Sequence, residues 1–143
     1  MQAALMATPD ETEAQFYECL QRGELERLMT LWADEDEIAC VHPGGPRLIG
    51  LLAIRAAFEE IFGQGPIDVR PAQVRRITMG NCAVHHVLEE VRVQTDDGPR
   101  NGYVLCTNVY QKTPLGWRLV VHHASPGTPR ELQEFSDGGT TLH

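Results

Sequence analysis

Residues 116–126, GWRLVVHHASP, combine an aromatic residue, β-branched valines and two adjacent histidines. This composition favours a β-strand, which we expect over Trp117–Ala124. Successive side chains of a strand point to opposite faces of a sheet. His122 and His123 are therefore predicted to lie on opposite faces, so the pair is not expected to bind one metal ion.

The turn TPLG, residues 113–116, predicts which residues of the preceding strand oppose this one. If Lys112 opposes Trp117, antiparallel pairing predicts three further pairs: Tyr110 with Leu119, Asn108 with Val121, and Cys106 with His123. Opposed residues share a face, so Asn108 and His123 are expected on one largely apolar surface that resembles a pocket wall. His122 is expected on the other face, which would suit a dimer interface.

A second hairpin is predicted around DDGP, residues 96–99. With Asp96 opposite Pro99, the predicted pairs are His85 with Tyr110, Val87 with Asn108, and Glu89 with Cys106. A bulge at Gly102 would exchange Glu89 for Glu90. The apolar alternation along this strand favours Glu89 as the residue that faces the pocket.

Three helices are predicted in the first half of the chain. Thr8-Pro9-Asp10-Glu11 is a helix start with a capping box, and that helix is expected to run to about Arg22 and to end at Gly23. A second helix is expected over 24–32, and a third over 51–62, ended by Gly63.

The strands follow mainly after the helices. EIACVH, residues 37–42, predicts a short strand closed by the Pro-Gly-Gly-Pro run that follows it. Four longer strands are predicted over Val69–Met79, Ala83–Gln94, Tyr103–Lys112 and Trp117–Ala124. Helices followed by antiparallel strands indicate an α+β fold with the helices on one face of the sheet. One domain over 1–143 is expected, with an ordered core over 9–126 and a mobile tail over 127–143.

Composition narrows the class of partner. The chain has 12 basic and 20 acidic side chains, a net charge of −8, and no basic run, which argues against binding to nucleic acid or an anionic membrane. No apolar stretch approaches the ~18 residues of a membrane span, and the N-terminus does not resemble a secretion signal. A cytoplasmic protein is expected.

The cysteines and histidines do not form a metal-binding motif. The four cysteines are scattered, and three fall in apolar runs typical of buried structural thiols. His42, His123 and His85 or Glu89 could converge from three strands, but no short-spaced histidine pair anchors such a set. We therefore predict no bound metal and no cofactor.

Four segments together resemble the SnoaL-like branch of the nuclear transport factor two superfamily. They are Trp-Ala-Asp at 32–34, His-Pro-Gly-Gly at 42–45, Gly-Leu-Leu-Ala-Ile at 50–54 and Gly-Trp-Arg-Leu-Val at 116–120, within a match over roughly 9–126. The resemblance implies a cone, in which a curved, mostly antiparallel sheet wraps around three helices and encloses one pocket. It also implies a homodimer formed through the outer sheet face.

The resemblance to ketosteroid isomerase, a member of that superfamily, implies roles for individual residues. His42 is similar in position to the catalytic base, and Asn108 to a donor that stabilises an oxyanion. Phe16 stands where that family has a tyrosine donor, with Tyr17 rotated away by about 100°. A neutral imidazole accepts protons near pH 7, and an amide can donate to an oxyanion.

These observations lead to two functional hypotheses. The first is a pocket protein for a small, partly apolar organic molecule, with isomerase- or lyase-type acid–base chemistry that uses no redox cofactor. Its predicted catalytic residues are His42, Asn108 and His123, and its predicted pocket residues are Trp32, Phe16, Tyr17, Phe58, Glu89 and Tyr110. The second hypothesis is a ligand-binding or dimerisation module without catalysis.

Overall fold

The computed structural model describes residues 6–128 and 134–137. The helices are α1 (Pro9–Arg22), α2 (Leu25–Thr30) and α3 (Leu51–Gly63), and the strands are β1 (Ala39–Val41), β2 (Arg47–Ile49), β3 (Val69–Met79), β4 (Cys82–Thr95), β5 (Gly98–Thr113) and β6 (Gly116–Pro126). They form one sheet in the order β2-β1-β6-β5-β4-β3, with β1 and β6 parallel and the other neighbours antiparallel. The predicted α+β cone is confirmed.

The first helix begins and ends where its sequence signals predict. The Thr8 hydroxyl accepts a hydrogen bond from the Glu11 backbone N–H at 3.1 Å, and Gly23 ends the helix with a φ of 68°. The buried side of the helix faces the sheet. There the Thr12 hydroxyl donates to the Trp117 carbonyl at 2.8 Å, which ties α1 to β6.

The sequence did not predict β2. A turn in which the Gly45 N–H donates to the His42 carbonyl at 2.8 Å reverses the chain, and Arg47–Ile49 then pairs back along β1. Pro43 lies within this turn and Pro46 follows it, so both prolines precede the strand. Because β2 lies at the edge of the sheet, it needs hydrogen bonds to only one neighbour, and the prolines interrupt none of them.

The hydrophobic core lies between the helices and the inner face of the sheet. Its most deeply buried large side chains come from all three helices and from the sheet, and they include Phe16, Leu28, Ile54, Phe58 and Leu119. Each is at most 1% exposed. The side of the sheet that the helices cover is therefore the side on which a buried site can form.

A β-bulge in β6 overturns part of the predicted register. Lys112 opposes Trp117 and Tyr110 opposes Leu119 as predicted, but Val109 opposes Val121, so Val120 has no partner on β5. One extra residue reverses which face the following side chains occupy. Asn108 therefore pairs with His122, and the prediction that Asn108 shares a face with His123 is wrong.

The β4–β5 register differs from the prediction by two residues, which preserves the faces. Thr95 opposes Gly98 across a two-residue turn, and His85, Val87 and Glu89 oppose Asn108, Cys106 and Val104. Pairing is continuous past Gly102, which opposes Val91. Glu89 therefore lies on the inner face, as the apolar alternation indicated.

The predicted mobile tail falls largely on residues outside those described, 129–133 and 138–143. Within the described chain, none of the helices has the length and apolar character that a membrane crossing requires.

Candidate functional site

A row of polar side chains crosses the inner face of the sheet. His85 on β4 lies opposite Asn108 on β5, and Asn108 lies opposite His122 on β6. These three side chains are 1%, 0% and 4% exposed. Buried polar groups destabilise a fold unless hydrogen bonds replace the lost water, so the partners of this row determine what it can do.

Asn108 connects the sheet to α1. Its amide nitrogen donates to Tyr17 Oη at 3.2 Å and to Glu13 Oε2 at 3.3 Å. Its amide oxygen contacts His122 Nδ1 at 2.7 Å and accepts from the Cys106 thiol at 3.1 Å. Since the oxygen can only accept, His122 carries a hydrogen on Nδ1. Both ends of the Asn108 amide are therefore engaged within the protein.

Two tyrosine–carboxylate pairs lie on either side of Asn108. Tyr17 donates to Glu89 Oε2 at 2.6 Å, and Tyr110 donates to Glu13 Oε2 at 2.6 Å. The two carboxylates are 6% and 5% exposed. Each pair joins α1 to a strand, so the contacts hold the helix against the sheet as well as placing two acids in the interior.

His85 lies between Glu13 and the surface. Its Nδ1 is 3.0 Å from Glu13 Oε2, but the N–H direction misses that oxygen and no aligned hydrogen bond forms. Its Nε2 is 3.8 Å from the exposed carboxylate of Asp10, which accepts from Arg76 at 2.8 Å. His85 therefore keeps one ring nitrogen that is buried and lacks an aligned partner.

His42 lies at the other end of the row, where β1 ends. Its half-buried ring is 4.9 Å from the Phe58 ring and 6.1 Å from the His122 ring, measured between centroids. Its Nε2 contacts the Cys40 sulfur at 3.6 Å. His42 is thus positioned between solvent and the buried row.

Burial controls the protonation of these groups. It raises the pKa of Glu89 to about 6, an effect that the charge of Glu13 reinforces and the hydrogen bond from Tyr17 opposes. Burial, together with the smaller effects of the neighbouring His42 and His123, lowers the pKa of His122 to about 3. Burial likewise lowers the pKa of His42 and raises that of Tyr17. At pH 7 both His42 and His122 are therefore neutral, and Tyr17 keeps its proton.

The structure separates the three residues predicted to be catalytic. His42 and Asn108 both lie near His122, which contacts each of them. His123 is exposed on the outer face, where it lines a groove of about 330 Å³. The bulge at Val120 is the physical reason for its displacement, and the predicted outward position of His122 is wrong for the same reason.

The predicted pocket residues are all buried, but Tyr17 is oriented differently from the prediction. Those residues are Phe16, Tyr17, Trp32, Phe58, Glu89 and Tyr110. Tyr17 was expected to turn away from the site, yet its hydroxyl reaches Glu89 and Asn108. The sheet curves around α1 enough to contact two adjacent helix positions, and Phe16 packs 5.1 Å from the His122 ring.

Several residues of the network, among them Glu13, His85 and His122, were not among the predicted site residues. Glu13 is one helical turn before Tyr17, so the two share a face of α1, and this spacing was a usable signal. His85 alternates with Val87 and Glu89 on one face of β4, which was also readable. No sequence signal marked His122, because its orientation depends on the bulge.

One part of the network has the composition of a metal-binding set. Ligand atoms of Glu89, Cys106 and His122 all lie within 4.8 Å of one another, and all three side chains are buried. Each of them also has a hydrogen-bond partner in the protein, Tyr17 for Glu89 and Asn108 for the other two. The hydrogen-bond network thus accounts for their proximity.

Trp32 contributes a further unsatisfied group to the interior. It is 4% exposed, and its indole N–H has no hydrogen-bond partner among the described residues. A buried donor without an acceptor costs about 1–3 kcal/mol. An acceptor on a bound molecule would remove that cost.

The protein-family model described as a SnoaL-like domain matches residues 10–129. No curated protein matches the chain at a significant level. Among solved structures, a proposed calcium/calmodulin-dependent protein kinase type II association domain from Thiobacillus denitrificans is 33% identical. That match covers 87% of this chain and 98% of the other, with a TM-score of 0.79.

Two further solved structures are similar to the chain. A proposed dehydratase of the NTF2-like family from Streptomyces avermitilis is 30% identical, with 85% of this chain and 99% of the other covered and a TM-score of 0.74. An NTF2-like protein of unknown function from Pseudomonas putida is 18% identical, with 92% and 93% covered and a TM-score of 0.72, and shares the fold.

The protonation of His122 provides a test of the bulge. With a pKa of about 3, the His122 ring stays neutral, so its carbon-bound ring protons should not shift between pH 5 and pH 8 in an NMR titration. This signal should vanish in His122→Gln and persist in His123→Gln. Loss of the signal in His123→Gln instead would show that His123 faces the interior.

The buried charge of Glu89 should make stability fall as the pH rises. Its pKa is about 6 in the folded state against an ordinary value of 4.5, so the native state holds the proton more tightly. Stability is therefore lost as the pH rises from about 4.5 to above 6, by about 2 kcal/mol. Glu89→Gln keeps an acceptor for Tyr17 and should remove this loss in urea unfolding measured at pH 4 and pH 7.5.

The matched control is Glu90→Gln, because Glu90 adjoins Glu89 on β4 and is only half-buried. Glu90→Gln should leave the pH dependence of the wild-type protein intact. An equal effect of the two substitutions would contradict the assignment of the buried charge to Glu89.

Proposed function

Because the chain belongs to the SnoaL-like domain family of the nuclear transport factor 2-like superfamily, we propose that its interior network binds a small organic molecule and transfers protons to or from it. The observation that carries this proposal is the contact of Glu89, Tyr17 and Asn108 in the buried interior. A carboxyl group with a pKa of about 6 can both give and take a proton near neutral pH. Dehydration, the reaction proposed for one relative that is 30% identical to this chain, is chemistry of this kind.

Each side chain of the network has a different role in the proposed proton transfer. Glu89 is the proton-transfer group, and Tyr17, which keeps its own proton, is the donor to an oxygen on which negative charge develops. His42 is neutral at the edge of the interior and is the second base. Asn108 acts as a positioning residue, since both ends of its amide already hold protein groups.

The reaction class that suits these groups removes a proton next to a carbonyl and returns one to another atom, as in an isomerisation or dehydration. The apolar body of the substrate would lie against Phe16 and Phe58, whose ring centroids are 6.4 Å apart. The unpartnered indole N–H of Trp32 offers a donor to a polar substituent. The proposed substrate is therefore partly apolar, with an apolar body and one polar substituent.

Deuterium incorporation provides a test that does not require the natural substrate. Small carbonyl and hydroxy compounds are incubated with the protein in D2O, and exchange of their C–H protons is followed by NMR. For a compound that exchanges, Glu89→Gln should lower the rate by about 100-fold, and His42→Ala by a similar factor. Glu90→Gln should not change it. An exchange rate unaltered in both Glu89→Gln and His42→Ala would sink the proposal.

A second candidate function is that of a self-association module, and one surface feature favours it. Register places six apolar residues in one row across the outer face of all six strands: Ile77, Val84, Val109, Val121, Ala39 and Ile49. Ile77 and Ile49, at the two ends, are 51% and 40% exposed. We propose that this row packs against a second copy, and similarity to a proposed association domain supports it.

The apolar row predicts an effect of charge on self-association. Ile77→Asp places a carboxylate in the proposed interface and should weaken the dimer by about 10-fold or more, since burying such a side chain is worth about 1.5–3 kcal/mol. Sedimentation velocity at several concentrations measures this. Val93→Asp is the control, because Val93 is 49% exposed near the far end of β4. A monomeric wild-type protein would refute the self-association proposal.

A further inference from the structure

A polar row crosses the outer face of the sheet, on the opposite side from the buried network. The register places four side chains next to one another in this row: Arg75 of β3, His86 of β4, Thr107 of β5 and His123 of β6. Neighbouring strands lie about 4.8 Å apart, so the row spans about 14 Å. All four residues line the outer groove of about 330 Å³, a volume that suits a small organic molecule.

The strands that form the groove place basic and hydrogen-bonding groups there without an acid. The adjacent row also lines the groove, and it consists of Gln73, Leu88, Leu105 and Ser125. Neither row contains Asp or Glu, although the chain as a whole has a net charge of −8. A concave surface with basic groups of one sign attracts anions. Leu88 and Leu105 add an apolar wall beside the polar row.

Glu134 shows which chemical group the basic end of the groove receives. Its side chain lies in the groove, where Arg75 Nε donates to Glu134 Oε1 at 2.6 Å. Arg75 Nη2 donates to the same oxygen, so the pair lacks the two parallel bonds of a bidentate arginine–carboxylate contact. The two side chains are 64% and 39% exposed, and exposed ion pairs are weak. Another carboxylate can therefore replace Glu134 at Arg75.

The middle of the groove offers further hydrogen-bonding groups. His86 Nδ1 contacts the Thr107 hydroxyl at 3.3 Å. This contact uses one of the two ring nitrogens of His86, and an imidazole can form hydrogen bonds through both. His123, on the other side of Thr107, is exposed like His86. A ligand held at Arg75 therefore meets two imidazoles and a hydroxyl along its length.

We propose that the outer groove is a second binding site and that its ligand is a small organic carboxylate with a partly apolar body. The carboxylate of the ligand takes the place of Glu134 at Arg75, and the apolar body lies against Leu88 and Leu105. Glu134 is then an internal competitor of the ligand. This inference does not depend on the proposed proton transfer, because it concerns the opposite face of the sheet.

Three ligands of similar shape and different charge test the charge preference: benzoate, benzyl alcohol and benzylammonium. NMR titration of the full chain at pH 7.5 should give benzoate an affinity at least about tenfold higher than that of benzyl alcohol, the effect of one charge-assisted contact. Benzylammonium should not bind. Hexanoate is included as a flexible carboxylate in case the benzene ring does not fit the groove.

The histidine signals locate the bound ligand. Benzoate in the groove should shift the carbon-bound ring protons of His86 and His123, which are assigned with His86→Gln and His123→Gln. The corresponding signals of His122 should not move, because that ring is buried on the inner face. This readout separates the groove from the interior site of the proposed function.

Two substitutions should change the affinity in opposite directions. Arg75→Gln removes the partner of the carboxylate and should weaken benzoate binding by about tenfold. Glu134→Gln removes the competitor and should strengthen it by about two- to fivefold, as expected from a weak exposed ion pair. A purely structural effect would not reverse sign in this way. Circular dichroism and thermal unfolding establish that each variant is folded.

The matched controls are neighbours of the two substituted residues. Arg76→Gln changes the next residue of β3, which pairs with Asp10 instead. Asp137→Asn changes an acid in the same described segment as Glu134. Both variants should bind benzoate like the wild-type protein.

The groove lies beside the apolar row proposed for self-association, so the titration is repeated on Ile49→Asp. This variant charges the apolar row at the end far from Arg75 and exposes the groove if a second copy covers it. Binding of a carboxylate to either protein with the predicted pattern of variants supports the inference. Failure of both carboxylates to bind either protein, a preference for benzylammonium, or a shift of His122 in place of His86 and His123 overturns it. An equal effect of Arg76→Gln and Arg75→Gln, or an unchanged affinity in Glu134→Gln, also overturns it.

Discussion

One extra residue in β6 determines which side chains meet inside this protein. Val120 has no partner on β5, and from Val121 onwards the side chains of β6 face the opposite way from a regular strand. The bulge brings His122 to Asn108, at 2.7 Å, and leaves His123 on the outer face. Without the bulge, His122 would not reach the amide oxygen of Asn108.

Asn108 then transmits this arrangement to the first helix. Its amide contacts Glu13 and Tyr17 of α1 as well as Cys106 and His122 of the sheet. A buried amide is tolerated only when its donors and acceptor are satisfied, so the network favours one placement of the helix on the sheet. The same contacts hold Glu89 and Glu13 away from solvent, and the raised pKa of Glu89 follows from that burial.

The fold alone does not specify a function, whereas the two faces of the sheet in this chain differ in chemistry. Similar structures include a proposed dehydratase and a proposed association domain, so this scaffold is linked with both chemistry and assembly. In this chain the two faces of the sheet differ in polarity, which matches these two kinds of role. The inner face presents acids, imidazoles and tyrosines, and the outer face presents the apolar row from Ile77 to Ile49. The proposed chemistry and the proposed self-association therefore involve different residues.

The sequence by itself determined every helix and every strand except β2, and most of their faces. Thr8 and Gly23 marked the ends of α1, alternation placed Glu89 on the inner face, and the turn at 113–116 gave the correct register up to Tyr110. These features depend on neighbours along the chain, through capping, period and turn geometry. Only the tertiary structure decided that His122 rather than His123 points inwards, and that Tyr17 reaches Glu89. The bulge residue is an ordinary valine, and the contacts of Asn108 with Tyr17 and of Tyr110 with Glu13 join residues 91 and 97 positions apart. Packing between distant segments selects such features, so no local pattern encodes them.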